Sequence, residues 1–107
     1  MAFSATLEAF DAATREARVT LKGELDASVA GQFKDVIEQA ASRQPRSLTL
    51  LMTDLSFMAS AGLRVLIFAK QKMGPEVPLV LVGCQEPVLN TLEMSGFSSS
   101  VQLLARL

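Results

Sequence analysis

The sequence contains no histidine and only one cysteine, Cys84. Without histidine, the usual side-chain arrangements for acid–base catalysis and for metal binding cannot be assembled from this chain. A single cysteine excludes an internal disulfide, and its place directly after the apolar residues 80–83 favours a small buried side chain over a nucleophile. We therefore predict a protein that is not an enzyme, with no catalytic residues, no metal ligands and no cofactor.

Long apolar runs and an excess of either charge are also missing. No run approaches the roughly 18 apolar residues that a membrane-spanning helix needs, and no basic segment followed by an apolar one opens the sequence. Ten basic and eleven acidic residues give a net charge of -1, which does not supply the electropositive surface that nucleic acid requires. We expect a cytoplasmic protein that binds neither membranes nor nucleic acid directly.

The chain has enough apolar residues for one compact domain, which we place over residues 1–107 because half of the sequence is hydrophobic. Apolar and polar residues alternate over residues 3–10 and 17–22, on either side of a polar turn, and this pattern predicts a β-hairpin. From Val29 onwards the apolar spacing is that of a helix, for which Asp26 or Ser28 is the predicted N-cap.

The remainder of the chain alternates between strand and helix. Residues 47–52 and 79–82 are short apolar runs typical of buried strands, residues 86–95 have helical spacing, and residues 101–104 form a last short strand. Such alternation favours parallel crossovers that keep sequential strands adjacent. The predicted fold is α/β, a single domain with a five-stranded mixed sheet and three or four helices mainly on one face.

Ser60 stands where the strand over residues 47–52 should give way to a helix that runs to about Met73. As the N-cap of that helix it would accept a hydrogen bond from the backbone N–H of Gly62 or Leu63, which stabilises a helix by about 1 kcal/mol. Alternatively, Ser60 accepts a phosphate, because a dianion is favoured beside the unpaired N–H groups of a helix N-terminus. Arg64, one turn further on, either reaches such a phosphate or is simply solvated.

Three segments resemble one known family, the STAS domains, and especially the bacterial anti-sigma factor antagonists. The segment over residues 54–63 resembles the family's signature, residues 23–26 resemble the loop after its second strand, and residues 92–97 resemble the end of its third helix. Their spacing agrees over nearly the whole chain. The family's fold is the mixed sheet with one-sided helices that the periodicity predicts independently.

The resemblance implies a binding function. Family members of this kind bind an anti-sigma factor that is also a serine kinase, phosphorylation of one serine ends the binding, and a serine phosphatase restores it. That serine corresponds to Ser60, while Ala59 and Ala61 stand where the family has an aspartate and a second hydroxyl residue. The predicted phosphorylation site is Ser60, and the predicted partner-binding residues are Asp26, Met58, Ala59, Ser60, Ala61, Gly62, Leu63 and Arg64.

A second hypothesis follows from the two alanines. Loss of the acidic neighbour at Ala59 and of the hydroxyl at Ala61 could make Ser60 a poor kinase substrate. The chain would then be a constitutive STAS adaptor that binds a transporter ATPase or a signalling scaffold without a phosphate cycle. The sequence leaves both hypotheses open and makes no prediction of the oligomeric state.

Overall fold

The computed structural model describes residues 2–107. Within these residues the chain forms five strands, three α-helices and one short 3₁₀ helix. In chain order the elements are β1 (Ser4–Asp11), β2 (Glu16–Leu25), α1 (Ala30–Ala41), β3 (Ser47–Met58), α2 (Ser60–Met73), β4 (Leu79–Val82), α3 (Glu86–Ser95), the 3₁₀ helix (Phe97–Ser100) and β5 (Gln102–Leu104).

The strands form one mixed sheet in the order β1-β2-β3-β4-β5. Strand β1 pairs with β2 in the antiparallel direction, and every other neighbouring pair is parallel. Each parallel pair is joined through a helical segment, as parallel strands require. The predicted hairpin, the mixed sheet and the adjacency of sequential strands are confirmed.

The three α-helices cover one face of the sheet. In β2 the alternate residues Ala17, Val19 and Leu21 are fully buried, whereas Arg18 and Thr20 between them are partly exposed. Buried side chains from all three helices join the same core cluster as these strand residues. Because successive strand side chains point to opposite faces, all three helices pack on the same side. The predicted one-sided arrangement is confirmed.

Strand β3 is longer than the sequence pattern predicts. The predicted strand ends at Met52, but β3 continues to Met58. Its added half pairs with the end of β2, where Lys22 lies beside Asp54 and Leu25 lies beside Met58. This pairing satisfies backbone groups that a loop would leave to solvent. The predicted end of this strand at Met52 is therefore wrong.

Helix α1 begins without the predicted side-chain cap. Its N-cap residue is Val29, and no side chain bonds to the first turn. The Asp26 carboxylate instead accepts hydrogen bonds from the Ser28 backbone N–H at 2.9 Å and from the Ser28 hydroxyl at 2.6 Å. Asp26 and Ser28 thus form a turn ahead of the helix, and the prediction that one of them caps it is wrong.

Candidate functional site

The ends of β2 and β3 are joined by a backbone hydrogen bond next to Ser60. The Ala59 N–H donates to the Leu25 carbonyl oxygen over 2.8 Å. Asp26 directly follows Leu25, and Ser60 directly follows Ala59, so the bond holds both residues at the carboxyl edge of two parallel strands. In open α/β sheets this edge is the usual place for a binding site.

Ala59, not Ser60, is the N-cap of α2. Its backbone is extended, with φ -80° and ψ 170°, and no side chain caps the helix. The Ala59 carbonyl accepts the N–H groups of Gly62 at 3.0 Å and Leu63 at 3.2 Å. The predicted N-cap role of Ser60 is wrong, because the bond to Leu25 fixes Ala59 in the cap position. Ser60 becomes the first helical residue, and its side chain is exposed.

Asp26 supplies a negative charge at the same edge. Its side chain is exposed, and the hydrogen bond from the Ser28 hydroxyl, with further help from the backbone N–H groups of Ser28 and Val29, holds the pKa of its carboxyl below the ordinary value. A carboxylate that accepts hydrogen bonds is favoured in its ionised form. Asp26 is therefore an anion at neutral pH.

Gly62 lets the first turn of α2 approach the strands closely. It is buried, and a Cβ atom at this position would lie 2.6 Å from Leu25 Cγ and 2.9 Å from Met58 Cγ. Both distances are far shorter than a carbon–carbon contact. Glycine at residue 62 therefore serves the packing of α2, and through it the position of Ser60.

The eight predicted partner-binding residues divide into two groups. Met58 is 1% exposed, Leu63 is 9% exposed and Gly62 is also buried. Their side chains lie in or against the core, where they support the site and offer a partner no surface. The other five residues are exposed or half-buried and are therefore accessible to a partner: Asp26, Ala59, Ser60, Ala61 and Arg64.

Two large apolar side chains close to Ser60 in the sequence are also exposed. Phe57 is 45% exposed at the end of β3, and Ile67 is 38% exposed on α2. Ile67 lies three residues after Arg64 and seven after Ser60, which is the spacing of a single helix face. This spacing is visible in the sequence, and Ile67 could have been predicted from it as a residue on the same helix face as Ser60. The Ser60 surface is defined here as Asp26, Ala59, Ser60, Ala61, Arg64 and Ile67. Phe57 is left out because its neighbour Met58 faces α2, and successive strand side chains point to opposite faces of a sheet.

Cys84 is the one cysteine of the chain, and it is half-buried. Burial raises the pKa of the Cys84 thiol to about 11, so the thiol is protonated at neutral pH and is a poor nucleophile. Among residues 2–107 no group of three or more Cys, Asp or Glu side chains could hold a metal ion. No helix in that part of the chain is long and apolar enough to span a membrane.

The sequence profile of the STAS domain matches residues 10–107. The chain belongs to the STAS domain family. The resemblance found in residues 23–26, 54–63 and 92–97 is thereby confirmed at the level of the family. The five-stranded mixed sheet and its one-sided helices are then the STAS architecture, with Ser60 at the start of its second helix.

Named relatives of this STAS domain are regulators of sigma factors. It is 28% identical over 86 residues to the anti-sigma-B factor antagonist of Listeria monocytogenes, covering 79% of this chain and 75% of that protein. The fold matches an anti-sigma factor antagonist from Mycobacterium paratuberculosis with a TM-score of 0.86 at 21% identity, covering 99% and 88% of the two chains. It also matches the phosphorylated form of the Bacillus cell fate determinant SpoIIAA with a TM-score of 0.66 at 18% identity, covering 95% and 90%.

Proposed function

We propose that this STAS domain is an anti-sigma factor antagonist controlled by phosphorylation of Ser60. In its unphosphorylated form it binds an anti-sigma factor that is also a serine kinase, and this binding releases a sigma factor. The kinase transfers the γ-phosphoryl group of ATP to Ser60 Oγ, with release of ADP and the hydroxyl proton, and the complex then dissociates. A serine phosphatase restores the binding form, and the cycle takes place in the cytoplasm.

The observation that carries this proposal is the exposed Ser60 side chain on the first residue of α2. The Ser60 side chain does not cap the helix, and Ser60 lies at the edge where β2 and β3 end. The named relatives support the antagonist role, and one solved neighbour is a phosphorylated form. A kinase needs an accessible hydroxyl, which Ser60 offers.

The Ser60 surface is the proposed binding face. Its apolar part, Ile67, can be buried against the anti-sigma factor, while Asp26 and Arg64 provide charges of opposite sign at its margin. Phosphorylation adds roughly -1.5 to -2 charges at Ser60. A charge of that size in a desolvated contact is unfavourable, so the modified protein is released.

Phosphorylation in the native cell tests this function directly. We expect mass spectrometry of the protein isolated from that cell to find one phosphate per modified chain, located at Ser60. Ser60→Ala should abolish it, whereas Ser99→Ala, a change of another exposed serine in the 3₁₀ helix, should not. Phosphate at a different residue, or none under any growth condition, would refute the switch.

Binding provides the second test. The unphosphorylated protein, used as bait in native lysate, should retain an anti-sigma factor kinase, and Ser60→Asp should bind it about 5- to 150-fold more weakly, since couplings of 1–3 kcal/mol are typical of such switches. Ser99→Asp serves as the charge-matched control. Equal retention by the Ser60→Asp and unchanged proteins would contradict the proposal.

The constitutive adaptor is the second candidate function, and Ala59 and Ala61 favour it. Neither residue gives a kinase the acidic or hydroxyl neighbour of the family pattern. The same bait experiment separates the two functions. Recovery of a transporter ATPase or a signalling scaffold, undiminished in Ser60→Asp, would support the adaptor, whereas recovery of an anti-sigma factor kinase alone would exclude it.

A further inference from the structure

The exposed face of α2 carries one cation close to Ser60. Ser60, Arg64 and Ile67 lie on this face, and Lys70 and Lys72 follow near the end of the helix. Helix α2 has no acidic residue over its whole length. Arg64 therefore has no carboxylate one turn away on its own helix.

Arg64 also has no ion pair with another element. Over residues 2–107, one salt bridge is found, between Arg18 and Glu16 on β2, at 3.1 Å. The guanidinium of Arg64 is thus available to a new anion. It is also exposed, so that an anion could reach it without any change in the core.

The spacing between Ser60 and Arg64 is suited to an intrahelical pair. Residues four apart lie on the same helix face, with about 5–6 Å between their Cβ atoms. Helical side chains lean toward the N-terminus, so the long Arg64 side chain extends over the turn that contains Ser60. The short serine side chain, lengthened by a phosphate, would meet a guanidinium whose five N–H groups fit phosphate oxygens.

We propose that Arg64 binds the phosphate of phosphorylated Ser60. This inference rests on the proposed function, since it requires that Ser60 be phosphorylated. Ala59 and Ala61, on either side of Ser60, have no polar side-chain atom that could bind the phosphate. The pair also occupies the guanidinium of Arg64, which is then no longer free to contact a partner.

A phosphoserine placed at residue 60 during translation tests the pair without any kinase. In the full chain, ³¹P NMR follows the second pKa of the phosphate, whose ordinary value is about 6. A cation that binds the dianion lowers this pKa. We expect it to be lower in the unchanged protein than in Arg64→Gln by about 0.2–0.7 unit, the size expected for an exposed ion pair.

Two further variants make the experiment specific. Lys70→Gln removes a cation from the same helix ten residues from Ser60, and it should leave the phosphate pKa unchanged because the separation is about 15 Å. Arg64→Lys should recover part of the shift, since lysine keeps the charge and loses the fork of N–H donors.

An equal phosphate pKa in the unchanged protein and in Arg64→Gln would overturn the inference. The inference would also be overturned if Lys70→Gln raised the phosphate pKa as much as Arg64→Gln does. The lower pKa would then come from the general positive charge of the helix and not from a pair with Arg64. These outcomes are separate from those of the proposed function. If native Ser60 carries no phosphate, the proposed switch fails, while the ³¹P titration still decides whether Arg64 binds a phosphate at this position.

Discussion

At the scale of single residues, Ser28 lowers the pKa of the Asp26 carboxyl. The Ser28 hydroxyl is the main cause of the lowered pKa of the Asp26 carboxyl. Replacement of Ser28 by alanine should raise that pKa toward 3.8, its ordinary value, because the hydrogen bond that lowers it most is lost. NMR titration of the carboxyl carbon measures the change. Ser42→Ala is the matched control, since the Ser42 hydroxyl donates to the Gln39 carbonyl oxygen.

The same shift predicts the sign of a pH effect on stability. A carboxyl whose pKa is lower in the folded state stabilises the fold above its unfolded pKa, and this contribution is lost as the pH falls through the folded pKa. The stability of the unchanged protein should therefore exceed that of Ser28→Ala at neutral pH, with the difference shrinking below about pH 4. A difference independent of pH would contradict the role of Asp26.

The exposure of individual site residues was only partly predictable from the sequence. Ser60 and Arg64 were identified as site residues and are exposed, but Met58 and Leu63 are buried. The register of β3 shifts twice against β2, so the alternation over residues 47–52, in which the even-numbered side chains face the core, is broken at the buried Leu55. Such shifts depend on the pairing of distant strands, which the local pattern does not contain.

At the scale of elements, clear stop signals made the helices predictable. Helix α2 ends at Met73 before Gly74 and Pro75, and α3 ends at Ser95 before Gly96, which has a positive φ of 80°. Glycine in that conformation is a common helix terminator. The cap of α2 was not predictable in the same way, because Ala59 takes the cap position through a bond to Leu25 on another strand.

Two glycine substitutions test the packing of α2. Gly62→Ala places a Cβ against Leu25 and Met58, and overpacking of this kind costs about 1–3 kcal/mol. Gly31→Ala, in α1, is the control because a Cβ there meets nothing within 4 Å, and alanine should stabilise the helix by about 0.5–1 kcal/mol. Chemical denaturation measures both free energies of unfolding. A stability gain in Gly62→Ala would show that α2 does not depend on this close approach.

At the scale of the whole molecule, the switch should act on binding and leave the fold intact. Ser60 is exposed, whereas the core lies behind it and includes Phe33, which is fully buried. Ser60→Asp should shift the melting temperature by less than about 4 °C, because surface substitutions change stability by about 0.5 kcal/mol or less and 1 kcal/mol corresponds to roughly 4–8 °C in a domain of this size. An acidic residue in the first turn of α2 is, if anything, stabilising.

Calorimetry tests this expectation when the melting temperature of Ser60→Asp is compared with that of a core variant. Phe33→Ala should cost about 3–5 kcal/mol through lost burial and a cavity, and so lower the melting temperature by at least about 12 °C. Ser60→Asp should resemble the unchanged protein in melting temperature and in the heat of unfolding, yet lose its partner. If Ser60→Asp instead melts near Phe33→Ala, charge at residue 60 unfolds the domain. The loss of partner binding would then be a consequence of unfolding, and not of a local charge on a domain whose core is intact.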